Sequence, residues 1–521
     1  MNLIEKIRET LIGKNRLEKL KENPDSSRLT FIFDNEAILR AKVNEYKTWY
    51  IGESAELLNF YRNTEIWQNA CDPFYFENRK NYFWGLSSLE GDIKRVHSGI
   101  PNAIVTTLVN AIGNPKVTSN DEMENITLEH IMDVNDMTTK LNQLQIPLTL
   151  AEGWGAFKIN YNKSLCQYPL IQYYDADRVR FLYEDGILTG ITFIDYYKYN
   201  SKNYVFLETR KLENNSSIIE NKLFLLKDND NIDEVPLNSV PQLANVEDII
   251  IPNYNKILGV PSKFFFDPLN QDYGKSIFAG KIDLFDMLDE DLSQNSQTVR
   301  VSTPVEYFPV DTMEHGANCS EQAPKIYNRQ YIKINSIPNG DGNTDSEITT
   351  TQPILNFQQY SDNAKHILDT ILTGILSPAT LGIDIAKKDN ADAQREKEKV
   401  TIMTRNNVIT GETKILKNLY SMCLDVYEFM TTGHITLQEH EINIKFDEFA
   451  NPSFENELQV LAPAYTSGGI SAEQYVELLW GDKLSDEEKA EEVTRIKERM
   501  QQDNLQWGDI SDADTSKFDR Y

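Results

Sequence analysis

Between residues 358 and 376, isoleucines fall at Ile367, Ile371 and Ile375, a spacing that lays one apolar stripe along a helix. Gly374, then Ser377-Pro378, then Gly382 end it, because a proline pushes the residue before it out of the α region. A polar loop over 377–392 leads into a second helical pattern over 393–433, with Asn390 placed to cap it and Gly433 to stop it. At about 1.5 Å per residue that helix spans roughly 60 Å. Upstream, residues 274–301 carry Phe278, Ile282, Phe285, Leu288, Leu292 and Val299 on one stripe, and Asp283, Asp286, Asp289, Glu290 and Asp291 load the other side. Between these helices, VEYFPV, KIYNRQYIKI and TTTQPILNF predict short strands around the turn-rich NSIPNGDGNTDSE.

The period changes to two from about 150 to 260. GAFKINYN, LIQYYDADRVRFLYEDGILTGITFIDYYKYN, NYVFLETRKL and NKLFLLKD are rich in β-formers, and Asp185-Gly186 marks a hairpin, so an antiparallel meander is expected. Before it, residues 2–22 predict an amphipathic helix, 35–62 two helical segments joined near Gly52, and Ile100, Ile104 and Leu108 a helix stopped at Gly113-Asn114-Pro115. After the long helix, HITLQEHEINIKFDEF alternates like a strand with His434 and His440 on one face. Residues 451–507 are helical, Ser485 and Glu488 form a capping box, and the acidic tail predicts disorder.

At 521 residues the chain exceeds one core, since cores stop growing near ~250 to 300 residues. Eighty acids against 52 Lys and Arg give a net charge of −28, which argues against a basic nucleic-acid binder. Four cysteines, Cys71, Cys166, Cys319 and Cys423, lie far apart, suggesting neither disulfide framework nor zinc site. The amino terminus lacks a signal peptide's apolar run and no stretch approaches the ~20 apolar residues of a membrane span, so a soluble chain that is not exported is expected.

Candidate chemistry is thin. DNDNID (228–233) lacks the glycine and spaced glutamate of a calcium loop, and Asp341, Asn343 and Asp345 are followed by Ser346 where that glycine belongs. Gly274-Lys275-Ser276 looks like half a phosphate loop, but Leu269 replaces the required glycine, leaving an ordinary helix start. HEIN is not HExxH, so His434 and His440 read as a surface pair, and Arg95 and His97 read as structural contacts. No catalytic set, metal cluster or cofactor motif emerges.

The order of parts says more: helix, small β-rich insertion, helix, polar loop with Ser-Pro, very long helix, helical tail. It resembles the portal proteins of tailed bacteriophages, in the broad group like that of the Bacillus phage SPP1. WYIGESAELLNFY, HSGIPNAIVTTLVNAIGNP, DYGKSIFAGKIDLFDMLDEDLSQ and GILSPATLGIDIAKKDNADAQREKEKVT carry the resemblance. It implies an α+β portal fold: wing over 1–273, stem helix over 274–301, clip over 302–357 and second stem helix over 358–376. A tunnel loop over 377–392, the long wing helix and following strand over 393–449, and crown and tail over 450–521 complete it.

The family assembles as a dodecameric ring at one capsid vertex of the virion, formed in the bacterial cytoplasm with major capsid and scaffolding proteins. Double-stranded DNA is packaged through its channel by the terminase large subunit and later ejected, and the ring connects head to tail, docking a head-completion adaptor after packaging. In that frame the apolar stripes are expected to be completed by neighbouring subunits, and the acidic faces to line the channel. Lys387 and Lys388 are either weak phosphate contacts or solvated loop lysines, and Lys325, Arg329 and Lys333 are candidates for the adaptor or motor. A different reading is a metal-dependent intracellular enzyme acting on nucleotides or nucleic acid, with Asp283 and Asp286 as metal ligands.

Overall fold

Helix α1 (41–51) turns into α2 (Ser54–Arg62) at Gly52, whose φ of +72° favours glycine. A Cβ there would also stand 2.9 Å from His97 Nε2, so the join is fixed twice over. The computed structural model describes residues 41–62, 81–86, 93–226, 232–268, 270–302, 304–309, 330–334, 349–352, 357–383, 391–435, 439–446, 461–463, 469–480 and 488–498, with Leu39, Arg79 and Tyr465. The helix expected over 2–22, Cys71, Cys319, Asp341, Ser485 and the acidic tail lie outside them. The chain divides into two compact units, Met1–Ile385 with Glu398–Asp447, and Ala386–Lys397 with Glu448–Tyr521.

In the first unit, α3 (Ile100–Ile112) carries Pro101 in its first turn, where no N–H is needed, and stops at Gly113 as its sequence predicts. The stretch that follows shows neither period clearly. It forms β1 (Pro115–Ser119), then α4 (Glu122–Val134), whose first amides at Met123 and Glu124 donate to the Asp121 carboxylate. Next come the short α5 (Met137–Lys140), a π-helical turn (Leu141–Gln145) and α6 (Ile146–Glu152).

The meander follows as expected. β2 (Trp154–Asn160), β3 (Leu170–Asp175) and β10 (Gly259–Lys263) form one antiparallel sheet in the order β10-β2-β3. β4 (Val179–Glu184), β5 (Ile187–Tyr199), β6 (Lys202–Glu213), β7 (Ser216–Leu226) and β8 (Ile232–Val235) lie in sequence order in a second, and β9 (Ile249–Ile251) pairs with β7. Asp185 and Gly186, at φ 51° and 81°, make the β4–β5 turn.

α7 (Ile282–Val301) starts eight residues later than the pattern suggested, because residues 277–281 form a separate turn. β11 (Val305–Pro309) pairs in parallel with β12 (Gln330–Ile334) and antiparallel with β13 (Thr349–Thr351), giving the expected small-strand insertion. α8 (Phe357–Leu372) and α9 (Ala391–Thr432) follow, and Gly433 ends α9 at φ 77°. The molecule is a mixed α+β protein.

Two expectations fail here. Phe278, Ile282, Phe285 and Leu288 are at most 4% exposed and Ile367, Ile371 and Ile375 at most 7%, all within one intrachain core that also holds Leu416, Leu419 and Tyr420 of α9. Those residues are covered by α9 and the N-terminal helices of the same chain, while Val299 at the end of the α7 stripe stays 52% exposed. The predicted strand after α9 is only β14 (Ile442–Phe446), paired with β1, so neither His434 nor His440 lies on it. His440 is no surface residue: its Nδ1 stands 2.7 Å from Glu124 Oε1 and its Nε2 3.3 Å from Asp425 Oδ1. The Asp425 contact leads in raising its pKa, and the ring ties α4 to α9.

In the second unit, α10 (Ala472–Trp480) packs Tyr475, Val476 and Leu479 against Leu461, Tyr465 and, on α11 (488–498), Val493 and Ile496. Lys489 and Lys497 pair with Glu477 and Glu473 across the two helices. No described helix is long and apolar enough to cross a membrane.

A buried polar group sets a pH dependence. Gln145, turned inward by the π turn, donates from Nε2 to Glu412 Oε2 at 2.7 Å and Ser262 Oγ at 2.9 Å. Burial pushes the fully enclosed Glu412 carboxyl from 4.5 up to about 7, against the lowering effect of Gln145. The folded state therefore holds this proton more tightly than the unfolded state, and stability falls as pH rises from about 4.5 through about 7. Glu412→Gln is expected to lose less stability than wild type between pH 5 and pH 8, by on the order of 1–3 kcal/mol, in denaturant unfolding at the two pH values.

Candidate functional site

The apolar stripe of α7 is matched by a polar one. Asp286, Asp289 and Ser293 recur at helical spacing, and they are 6%, 0% and 0% exposed. Asp286 accepts from the backbone N–H groups of Phe83 at 2.8 Å and Trp84 at 3.4 Å. Asp289 accepts from the Ser98 N–H at 2.8 Å and Trp84 Nε1 at 3.0 Å, and meets His97 Nδ1 at 2.7 Å. Ser293 Oγ accepts from the Val96 N–H at 2.9 Å. Residues 81–86 and 93–99 are turn and coil, so helix side chains supply the acceptors their amides lack. His97 is thus a structural contact, and so is Arg95, which donates from Nε to the Phe83 carbonyl at 3.1 Å.

This overturns the expectation of an acidic channel face on α7. Asp286, Asp289 and Asp291 are buried, and only Asp283 is exposed. Burial pushes the Asp286 carboxyl up to about 7, partly offset by the two amides. Asp283 accepts from the Tyr82 hydroxyl. Among the described residues, no group of three His, Cys, Asp or Glu side chains stands together to hold a metal ion. The half phosphate loop is likewise committed: the Lys275 N–H donates to Phe265 O at 2.8 Å, and the Ser276 hydroxyl donates to Ala151 O.

With α7 fixed, α8 runs antiparallel to it. Lys281 Nζ donates to the carbonyls of Thr370 and Thr373, Asn363 Nδ2 donates to Asp291 Oδ1, and Thr298 Oγ1 reaches Tyr360 OH, so partners pair in opposite sequence order. The chain leaves α7 and re-enters α8 side by side, and β11–β13 lie between. After α8, Gly374 at φ 80° starts the reversal that carries the chain into the Ser-Pro turn. The buried Ser377 N–H donates to Thr401 Oγ1 at 2.9 Å, and Thr380 Oγ1 lies 2.8 Å from the same oxygen. The Ile383 N–H closes onto Pro378 O at 3.2 Å. Thr401, 0% exposed on α9, thereby pins the Ser-Pro turn.

Lys387, Lys388, Lys325 and Arg329 lie outside the described residues. Lys333 is placed by its backbone opposite Phe308 in the β11–β12 register. Sequence reasoning missed Thr401, which one threonine in a long helix does not advertise, and misassigned the α7 acids, whose helical spacing was itself the signal.

No family model matches the chain, and no curated protein matches it. Among solved structures it is similar to a chain of "Neck of empty GTA particle computed with C6 symmetry", at 13% identity and a TM-score of 0.38, over 78% of this chain and 94% of that one.

Thr401→Val removes the shared acceptor at the turn. It is expected to cost about 1–3 kcal/mol, because a buried N–H loses its partner. Hydrogen exchange should show the Ser377 and Thr380 amides opening faster while α9 amides stay protected.

Proposed function

We propose that the chain is a portal protein of a tailed bacteriophage, forming a dodecameric ring at one capsid vertex through which double-stranded DNA is packaged and later ejected. The observation that carries the reading is the sequence of supports: an antiparallel α7–α8 pair bracketing a three-strand unit, then a turn pinned to a 42-residue helix. In it α7 and α8 are the stem helices, 302–357 the clip, 377–392 the tunnel loop, α9 the long wing helix, and 450 onward the crown. The terminase large subunit docks during packaging, the head-completion adaptor afterwards, and capsid and scaffolding proteins surround the ring.

Neighbouring copies meet surfaces that the intrachain core leaves open. Met287, Val299 and Phe357, at 50%, 52% and 57% exposure, are such positions on α7 and α8. A net charge of −28 per chain keeps the wall from holding DNA phosphates tightly, which a continuous basic lining would do through counterion release. Against that background Lys387 and Lys388 make weak, passing phosphate contacts, and Lys325, Arg329 and Lys333 face the adaptor or motor.

Native mass spectrometry with negative-stain images of the purified chain tests the ring: about a dozen copies around a central hole is the expected outcome, and a monomer or dimer stable across salt and concentration ends the proposal. The loop is tested separately. Lys387→Glu with Lys388→Glu should leave rings intact while lowering the DNA content of assembled particles, and normal DNA content would remove these lysines from the mechanism.

A further inference from the structure

His440 plays no part in the ring reading, yet both of its ring nitrogens face carboxylates from other elements. Nδ1 stands 2.7 Å from Glu124 Oε1 in the first turn of α4, and Nε2 3.3 Å from Asp425 Oδ1 on α9. The side chain is 9% exposed, so water reaches little of it. An ionised carboxylate only accepts hydrogen bonds, and a neutral imidazole has one N–H and one bare nitrogen. Both contacts are therefore hydrogen bonds at once only when the ring carries two protons. After one proton leaves, a lone pair faces a carboxylate oxygen on one side.

The groups around the ring make this proton the variable one. Asp425 Oδ2 accepts from Lys256 Nζ at 2.7 Å and Tyr254 OH at 3.0 Å, and Glu124 Oε2 accepts from Ser119 Oγ of β1. Each carboxylate thus keeps a donor when the ring lets go of it. Burial works to raise the Asp425 carboxyl, but the His440, Lys256 and Tyr254 contacts outweigh it, so the group is held low and stays ionised. Burial pushes the Tyr254 hydroxyl and the Cys423 thiol of α9 up, and both stay neutral. On the ring's own segment, Glu439 and Glu441 are exposed, and Glu441 accepts from Asn120 Nδ2. The Asp425 contact, then Glu124, raise the ring above its ordinary 6.5 against the effect of burial.

We propose that His440 is a proton-operated latch: the doubly protonated ring clamps α4 to α9 and holds the β1–β14 pair closed, and loss of one proton frees one carboxylate and loosens that pair. β14 begins two residues after the ring and pairs with β1, and Asn443 Nδ2 donates to Asn120 Oδ1 at 3.2 Å between β1 and α4. It is also the last described strand before the first unit ends at Asp447, so the latch sets how firmly that exit is held. Because the folded chain binds this proton more tightly than the unfolded chain, the clamp is fully present below 6.5 and is lost as pH rises above it.

Hydrogen exchange of the full chain, expressed as protection factors from about pH 6 to about pH 9, tests the latch. Protection of the β1 and β14 amides should fall roughly tenfold as pH rises, the loss of about one charge-assisted hydrogen bond. The α9 amides between Val408 and Tyr420 are the internal reference, because Glu412 lies among them and its proton acts on the whole fold. His440→Gln has no proton to lose in this range, so its β1–β14 protection relative to that reference should not change with pH. Glu124→Gln gives the ring an amide that accepts from an N–H or, turned over, donates to a bare nitrogen. It should keep the protection seen at low pH and shrink the fall, and it carries the test if His440→Gln does not fold. Wild-type protection that stays constant over the range overturns the proposal, as does a fall that persists undiminished in either variant.

Discussion

The fold depends on carboxylates of α7 being buried against backbone amides. Moving an ionised carboxylate out of water costs several kcal/mol unless charge-assisted hydrogen bonds replace its hydration. Asp286 and Asp289 receive the N–H groups of Phe83, Trp84 and Ser98, the Trp84 indole and the His97 ring, and in return they hold an irregular segment in place. Neither side is satisfied alone. The pairing orients α7, α7 orients α8, and the turn after α8 is then delivered to Thr401 of α9. A second set of buried acids, Glu412 with Gln145 and Asp425 with His440, Lys256 and Tyr254, fixes α9 to the π turn, to α4 and to the 254–256 loop.

How much of this the sequence discloses follows from which signals are local. The end of α9 and the β4–β5 hairpin were legible because glycine takes positive φ at Gly433 and Gly186 where other residues resist it. The meander was legible because its strands are dense in β-branched and aromatic residues, which are buried on both faces over Ile191–Ile194 of β5 and Tyr204–Leu207 of β6. Residues 115–152 were not, since their helices are short and a π turn breaks the period. The acids of α7 were read as a solvated face because charge is normally exposed. What made them interior was the presence of unpartnered amides nearly 200 residues earlier, which no local pattern announces. The same holds for His440, which lies between carboxylates from two distant helices.

For the candidate site, the order of elements was readable and the supports were not. The described part of the region after α8 ends in a turn, residues 377–383, that is held to Thr401 of α9. A turn held by buried hydrogen bonds does not have to be ordered before it can act, which spares that entropy.

The parallel β11–β12 pairing and the closeness of Thr298 to Tyr360 together bear on descent. A segment that begins and ends at one point of the scaffold, and carries its own sheet, behaves as a cassette. Recombination that exchanges residues 303–356 between related chains would leave α7 and α8 themselves unchanged. Lineages sharing this core are then free to acquire new attachments at that end without redesigning the machinery behind it.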